Sequence, residues 1–287
     1  MPKLAFYAIL GSMFRSLAVT MLLLLTACTV PVTPTPAEFE SQLPLATFTP
    51  VRAHDAAAPA SPVPLLQFWQ MLFPGAEIAP ADDGLLMLRH APNLVRFQVQ
   101  FDEDPQAVQF LSQWLENNPE AMAAVNCGFY WEDDGRYLHM GLLELAGQRR
   151  APVRGHWGAA LIIRDGVAKI VRQPKFGVPA MDFGLQGWPT LLWRGQVVDG
   201  LDAETVARRT AVGVDASGRM LWVVDPAGST LQAFAQRLRR SDVGLVDAVN
   251  LDGGASTGLM WREVAGEPVS GVDSMPIPCV ILLSPLE

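Results

Sequence analysis

Hydrophobic and polar positions alternate in several short segments of the chain, as they do in strands with one buried face. The segment NLVRFQVQF, residues 93–101, has four apolar side chains on one face and polar ones on the other. Three further segments predict β-hairpins that turn at a glycine, namely 159–171, 188–200 and 209–225. Shorter apolar runs predict single strands over residues 122–131, 247–254 and 278–286.

Apolar spacing of three and four residues predicts helices in three places. Residues 104–118 give the clearest pattern, with Asp104 as the N-cap, and residues 229–240 give a second helix with Ser229 as its cap. Residues 65–73 have a helix-like apolar face. Many short strands with two or three helices predict an α+β fold: a mixed, sheet-rich single domain with the helices packed on the sheet.

The first 64 residues differ from the rest of the chain. An apolar run after Arg15 ends in LTAC, so residues 1–27 are predicted to be a lipoprotein signal peptide with lipid attached to Cys28. The alternative is an ordinary signal peptide or a short anchor. Residues 28–64 are rich in Pro, Ala and Thr and predict a tether. The globular domain is therefore expected over 65–287, outside the cytoplasm and anchored to a membrane by the N-terminal lipid.

Composition and charge narrow the function classes. The 287 residues are 50% hydrophobic and carry a net charge of −8, which disfavours nucleic acid as a partner because a basic face is lacking. Cys127 and Cys279 either form a disulfide or remain separate, and the sequence leaves this open. The histidines are scattered, so no zinc site is predicted.

Two strand ends combine polar side chains with small residues. AVNCGFYW contains Asn126, which offers a donor and an acceptor, and Gly128, which lets a ligand approach the backbone. RRTAVGVD begins with Arg208 and Arg209, and a guanidinium binds phosphate or carboxylate in a bidentate manner. Each stretch is also compatible with an ordinary turn or a solvated strand end.

The stretch AVNLDGGASTGLMW, residues 248–261, has a strand-like start that ends in Asp252. Gly253 and Gly254 permit positive φ and backbone N–H groups that converge on an anion, and Ser256 and Thr257 add hydroxyl groups. This composition predicts a ligand-binding loop, although a bare Asp-Gly-Gly is also a turn signal.

Taken in chain order, these segments resemble the phosphodiester glycosidase family over about residues 121–287. Members typically have an Asn-Gly-Gly-Phe-Phe turn, an Arg-Thr-Ala strand entry and an Asp-Gly-Gly-Gly-Ser loop. In this chain Cys127 replaces the first glycine of the turn, and Ala255 replaces the third glycine of the loop.

The resemblance implies a set of site residues. Asp252 is the candidate general base or oxocarbenium stabiliser, Arg209 the candidate phosphate clamp, and Asn126 the residue that orients sugar or phosphate oxygens. Further substrate-binding candidates follow from the same motifs: Gly128, Phe129, Thr210, Asn250, Gly253, Gly254, Ser256 and Thr257. No cofactor is implied with certainty, although Asp252 is also a candidate ligand of a divalent cation.

The sequence therefore predicts a secreted, membrane-anchored hydrolase that cleaves a sugar-1-phosphodiester. The expected substrate is similar to an N-acetylglucosamine-1-phosphodiester or is a cell-envelope glycopolymer. The alternative is a non-catalytic surface lipoprotein that binds glycans or cell-wall polymers through the same pocket.

Overall fold

A computed structural model of the chain describes residues 69–80, 84–172, 180–240, 243–262 and 270–286. The chain divides into two compact units, 1–60 and 61–287, and all of the described residues belong to the second. The predicted signal peptide, Cys28, the tether and the start of segment 65–73 lie outside the described residues. Within the described ranges, no helix has both the length and the apolar character needed to cross a membrane.

Strands make up most of the described chain. The first ten are β1 (Gln70–Phe73), β2 (Ala76–Pro80), β3 (Leu86–His90), β4 (Val95–Phe101), β5 (Ala123–Asn126), β6 (Tyr130–Asp133), β7 (Arg136–His139), β8 (Leu143–Leu145), β9 (Gln148–Ala151) and β10 (Ala159–Arg164). The next ten are β11 (Val167–Arg172), β12 (Phe183–Gly187), β13 (Thr190–Trp193), β14 (Gln196–Val197), β15 (Ala207–Asp215), β16 (Met220–Ser229), β17 (Leu245–Asn250), β18 (Leu259–Trp261), β19 (Ser270–Val272) and β20 (Cys279–Pro285). The described helices are α1 (Leu111–Asn117), α2 (Leu231–Leu238) and a short 3₁₀ turn, Gly254–Ser256.

Three larger sheets and one hairpin organise these strands. An eight-stranded sheet has the order β1-β2-β3-β16-β15-β17-β13-β14. Two five-stranded sheets have the orders β19-β18-β5-β20-β4 and β11-β10-β12-β8-β9, and β6 pairs with β7. All of the pairings between these strands are antiparallel, which short loops can connect.

A central apolar core joins the three larger sheets, and the two helices cover outer faces. Trp222, Val249, Phe183 and Ile281 all lie in the central core. Helix α2 packs on the other face of the eight-stranded sheet, and α1 packs on the outer face of the sheet that contains β5. The eight-stranded sheet is therefore buried on both faces, as a sheet between two apolar layers must be.

The strand predictions are confirmed, and the fold-class prediction holds only in part. Strand β4 lies within residues 93–101, and the three glycine-turn hairpins form as β10–β11, β13–β14 and β15–β16. The described part of the domain is nevertheless mostly β, with two helices, so a balanced α+β description overstates its helical content. Residues 70–73, expected in a helix, form strand β1.

The predicted helix boundaries were wrong for reasons that are visible in the hydrogen bonds. Helix α1 begins at Leu111, not after Asp104, whose carboxylate instead accepts the N–H of Gln106 at 2.9 Å in a local turn. Asp273 accepts the N–H groups of Leu111 and Ser112, at 3.0 and 2.9 Å. The cap of α1 is therefore distant in sequence. In α2 the cap is Thr230, one residue after the predicted Ser229.

A buried disulfide joins Cys127 to Cys279 across a separation of 152 residues. Strands β5 and β20 pair Asn126 with Val280, so the two cysteines lie opposite each other just beyond that pair, with 5.3 Å between their Cα atoms. They are 2% and 1% exposed. The cysteine that replaces the expected glycine thus fixes the loop after Asn126 to the neighbouring strand.

We expect reduction of this disulfide to lower the free energy of unfolding by about 2–5 kcal/mol, because the cross-link constrains a long loop in the unfolded chain. Urea unfolding with and without reductant measures the change. The double variant Cys127→Ala, Cys279→Ala is the control, since reductant has no bond to break in it. An unchanged midpoint for the reduced wild-type protein would contradict the expectation.

Candidate active site

The side chain of Asn126, at the end of β5, connects all three polar stretches. Its Nδ2 donates to the carbonyl of Asp252 at 2.8 Å and to that of Cys127 at 3.4 Å. Its Oδ1 accepts the hydroxyl of Thr210 at 2.8 Å and the N–H of Gly258 at 3.1 Å. With 1% exposure and four hydrogen bonds, the carboxamide is fully used within the protein. Asn126 therefore holds the Asp252 loop against β15.

The loop after Asp252 closes around this carboxamide. Gly253 is extended, with φ −135°, and a Cβ at this position would lie 2.8 Å from the carbonyl oxygen of Arg208. Gly254 has φ +61°, which favours glycine, and starts the 3₁₀ turn. Ala255 is exposed and has no positive φ, so a methyl group is accommodated where the family pattern has glycine.

Asp252 lies half-buried at the centre of this loop, and burial raises the pKa of its carboxyl to about 6. Two weaker effects oppose the rise: a hydrogen bond from the Ser256 hydroxyl and one from the N–H of Gly253, which is 2.9 Å from Oδ1. A carboxyl group with this pKa exchanges protons near neutral pH, as an acid–base catalyst must.

Tyr130, in β6, belongs to the same group but was not selected from the sequence. Burial raises the pKa of its phenol, the hydrogen bond with Ser256 opposes this, and the charge of Asp252 reinforces it. The phenol therefore stays protonated near neutral pH and is a hydrogen-bond donor beside the carboxylate. The signal in the sequence is its place four residues after Asn126, in AVNCGFYW.

The two arginines that begin β15 point in different directions. Arg208 donates to the Ser274 hydroxyl, on the side where Thr210 reaches Asn126. Arg209 donates to the carbonyls of Ser229 at 2.9 Å and Thr205 at 2.6 Å, next to the start of α2. Of the two, Arg208 is the one whose side chain lies on the Asn126 face of the sheet.

The guanidinium groups of Arg208 and Arg209 also have different charged and polar neighbours. Burial lowers the pKa of Arg209, and the nearby carboxylates of Asp202 and Asp225 oppose that effect. Neither arginine forms an ion pair with a carboxylate in the described part of the chain. Arg208 is half-buried, and its guanidinium donates to a neutral hydroxyl, that of Ser274.

The other predicted residues support the loops around Asp252. Gly128 is needed for close packing, because a Cβ there would lie 2.8 Å from His139 Nε2 and 3.0 Å from the carbonyl of Gln186. Asn250 is 4% exposed and donates to the Trp188 carbonyl at 2.8 Å, and Thr257 is fully buried. Phe129 is partly exposed and contacts the Trp157 ring at a centroid distance of 5.7 Å.

A metal site needs several ligand atoms close together, and such groups are rare among the residues in the described ranges. The one group of three candidate ligands among them is Cys127, His139 and Cys279. The sulfur atoms of the two cysteines are joined in the disulfide, so neither offers a thiolate. Burial lowers the pKa of His139 to about 4. Asp252 belongs to no such group among the described residues. The divalent cation stays a prediction.

Comparison with known proteins gives the family. The family model of the phosphodiester glycosidases matches residues 119–283, which is more than half of the chain. The chain belongs to the phosphodiester glycosidase family. No curated protein sequence matches it.

Two solved structures share the phosphodiester glycosidase fold of this chain. One is the catalytic domain of zebrafish N-acetylglucosamine-1-phosphodiester α-N-acetylglucosaminidase, auto-inhibited by its pro-peptide, with 18% identity and a TM-score of 0.55. The match covers 78% of this chain and 84% of that one. The other is a putative exported protein from Burkholderia pseudomallei, with 13% identity, a TM-score of 0.52 and coverage of 73% and 74%.

We expect Asn126→Ala to destabilise this phosphodiester glycosidase by about 2–4 kcal/mol, because it leaves the buried Gly258 N–H and Asp252 carbonyl unpaired. Urea unfolding measures the loss. Asn117→Ala is the matched control, since that amide bonds to Gln109 on the surface at 2.7 Å and should cost less than about 0.5 kcal/mol. Equal losses for the two variants would show that Asn126 does not hold the site together.

Proposed function

We propose that this protein hydrolyses a sugar-1-phosphodiester between the anomeric carbon and the bridging phosphate oxygen. The observation that carries the proposal is Asp252, a carboxyl group with a pKa near 6 where the three family motifs meet. Family membership supports the reaction class, and the zebrafish enzyme with the same fold is named for this reaction on N-acetylglucosamine-1-phosphodiesters.

Asp252 supplies the base in this mechanism. Its carboxylate accepts a proton from a water molecule as the water oxygen attacks the anomeric carbon. The bond from that carbon to the bridging oxygen breaks, and its electron pair leaves with the phosphate. The negative charge of Asp252 also stabilises the oxocarbenium character that develops on the sugar.

The leaving group removes the need for a strong general acid. A phosphate monoester anion is weakly basic, so it departs without full proton transfer, unlike the alkoxide of an ordinary glycoside. Arg208 is our candidate for the residue that binds the phosphate, because it lies on the face that carries Thr210, whereas the Arg209 guanidinium donates to two backbone carbonyls. Arg209, predicted from the family motif, stays the alternative candidate for this role.

Ser256 and Tyr130 complete the proposed site. Ser256 hydrogen-bonds both the Asp252 carboxyl and the Tyr130 phenol, and so fixes their relative positions. Because Ser256 gives its one hydroxyl proton to Asp252, the protonated phenol donates to Ser256 Oγ, and the phenol oxygen can accept from a sugar hydroxyl. Phe129 directly precedes Tyr130 in the chain, and Ser256 is the last residue of the 3₁₀ turn, Gly254–Ser256.

We also propose that the reaction takes place outside the cytoplasm, on an anchored enzyme. Disulfides persist in oxidising compartments, and the buried pair Cys127–Cys279 fits such a location. The N-terminal sequence supports the same proposal through its signal-peptide pattern and Cys28. A glycolipid or cell-envelope polymer that contains a sugar-1-phosphodiester is the substrate class expected there.

We expect kcat/KM for an N-acetylglucosamine-1-phosphodiester to rise with pH up to about pH 6, because the base must be ionised and its pKa is about 6. Asp252→Asn should lower kcat by about 100- to 10,000-fold, since it removes the proton acceptor. Initial rates of sugar release, followed by mass spectrometry, give both values.

Asp247→Asn is the matched control for that substitution. Asp247 lies on β17, the strand that leads to Asp252, and its Oδ1 accepts the N–H of Arg194 at 2.7 Å. The Oδ1 of an asparagine can accept the same hydrogen bond. The control should keep its activity. Binding of the phosphodiester without turnover by the wild-type protein would instead support the non-catalytic glycan-binding function.

The neighbouring arginines provide a second test of the proposed site. Arg208→Gln should lower kcat/KM by about 100-fold or more, because it removes charge from the developing phosphate anion. Arg209→Gln should change kcat/KM by less than about threefold and lower stability by about 1–3 kcal/mol, because two carbonyl groups lose their donor. Kinetics and urea unfolding of both variants separate these effects. The reverse pattern would assign the clamp to Arg209.

A further inference from the structure

We infer that Trp188 is the sugar-binding platform of this site and that the substrate lies across the end of β17, with its phosphate towards Arg208 and its sugar ring on the indole. The inference rests on the proposed function and extends it, because it assigns an orientation to the substrate and a role to a residue outside the family motifs.

The order of the strands places Arg208 and Trp188 on opposite sides of the end of β17. In the eight-stranded sheet β17 lies between β15 and β13. Asp252 follows β17, Arg208 belongs to β15, and Trp188 directly precedes β13. Neighbouring strands are about 4.8 Å apart, so the two flanks are separated by roughly 10 Å of backbone. That span suits a sugar ring joined to a phosphate, with the anomeric carbon between the two flanks, near Asp252.

The indole of Trp188 is exposed while its backbone is fixed. The residue is 47% exposed, whereas the large apolar side chains of the central core are fully buried. Its carbonyl accepts from Asn250 Nδ2 at 2.8 Å, and the next carbonyl, that of Pro189, accepts the Asn250 N–H at 3.0 Å. An exposed aromatic ring on a fixed backbone can pack its apolar face against sugar C–H groups at little cost in conformational entropy.

Neighbouring aromatic residues continue this surface towards the Asn126 loop. Gly158 and Gly187 are in such close contact that a Cβ on Gly158 would collide with the Gly187 carbonyl, so Trp157 lies near Trp188 in the fold. Trp157 contacts Phe129 edge-on, at 5.7 Å between ring centroids, and Arg154 lies over Trp157 at 5.5 Å. Trp157, and through it Phe129, is thus connected to the chain beside Trp188, which is the flank on which we place the sugar.

The test uses the Asp252→Asn protein, which should bind the substrate without consuming it. The ligand is N-acetylglucosamine 1-(methyl phosphate), with free N-acetylglucosamine and dimethyl phosphate as separate competitors. When Trp188→Ala is combined with Asp252→Asn, binding of the diester and of the free sugar should weaken by about 3- to 10-fold. Binding of dimethyl phosphate should stay unchanged. Added Arg208→Gln should weaken the diester and dimethyl phosphate and leave the free sugar unchanged.

Two further variants serve as controls for Trp188. Trp188→Phe keeps an aromatic face and should retain most of the sugar affinity. Trp193→Ala removes a partly exposed tryptophan from the far end of β13 and should change no affinity. Unchanged sugar binding in Trp188→Ala, or an equal loss for sugar and dimethyl phosphate, would overturn the inference. Hydrolysis of the same diester by the wild-type enzyme tests the proposed function separately, so the two failures are distinguishable.

Discussion

The carboxamide of Asn126 holds together three stretches that are distant in sequence. One side chain bonds the Asp252 carbonyl, the Gly258 N–H and the Thr210 hydroxyl, and so spans the start and end of the Asp252 loop and the entry to β15. A buried amide with four hydrogen bonds makes a strong geometric constraint, because each lost bond would leave a polar group unpaired away from water. The position of the Asp252 loop therefore depends on a side chain that is itself buried.

Other features bring the backbones close enough for that network to form. Gly253 permits contact with Arg208, and Gly128 permits contact with His139 and Gln186. The disulfide at Cys127 fixes the residue next to Asn126 to β20. The family glycine at this position is thus replaced by a cross-link whose effect is also to hold the turn.

The sequence identified the local features of this fold and missed those set by distant contacts. Turn glycines predicted three hairpins because their conformational preference is local, as with Asp165-Gly166, which both have positive φ. The start of α1 was missed because Asp273, far along the chain, provides its cap. The choice between Arg208 and Arg209 was hidden for another reason. Strand β15 is apolar on both faces, since its sheet lies between two cores, so alternation gives no indication of which face carries the site.

The candidate site contains one carboxyl group with a raised pKa where most glycosidases use two, and the chemistry of the leaving group accounts for this difference. A general acid is required when the departing oxygen is strongly basic, whereas a phosphate oxygen requires stabilisation of negative charge. In the proposed mechanism, the Arg208 guanidinium on one flank of β17 supplies that charge, and Asp252 acts as the base at the anomeric carbon. Burial, which destabilises the ionised carboxylate, also makes it a stronger base. Burial in this loop thus destabilises the charged form of Asp252 in the folded protein and brings its pKa closer to neutral pH.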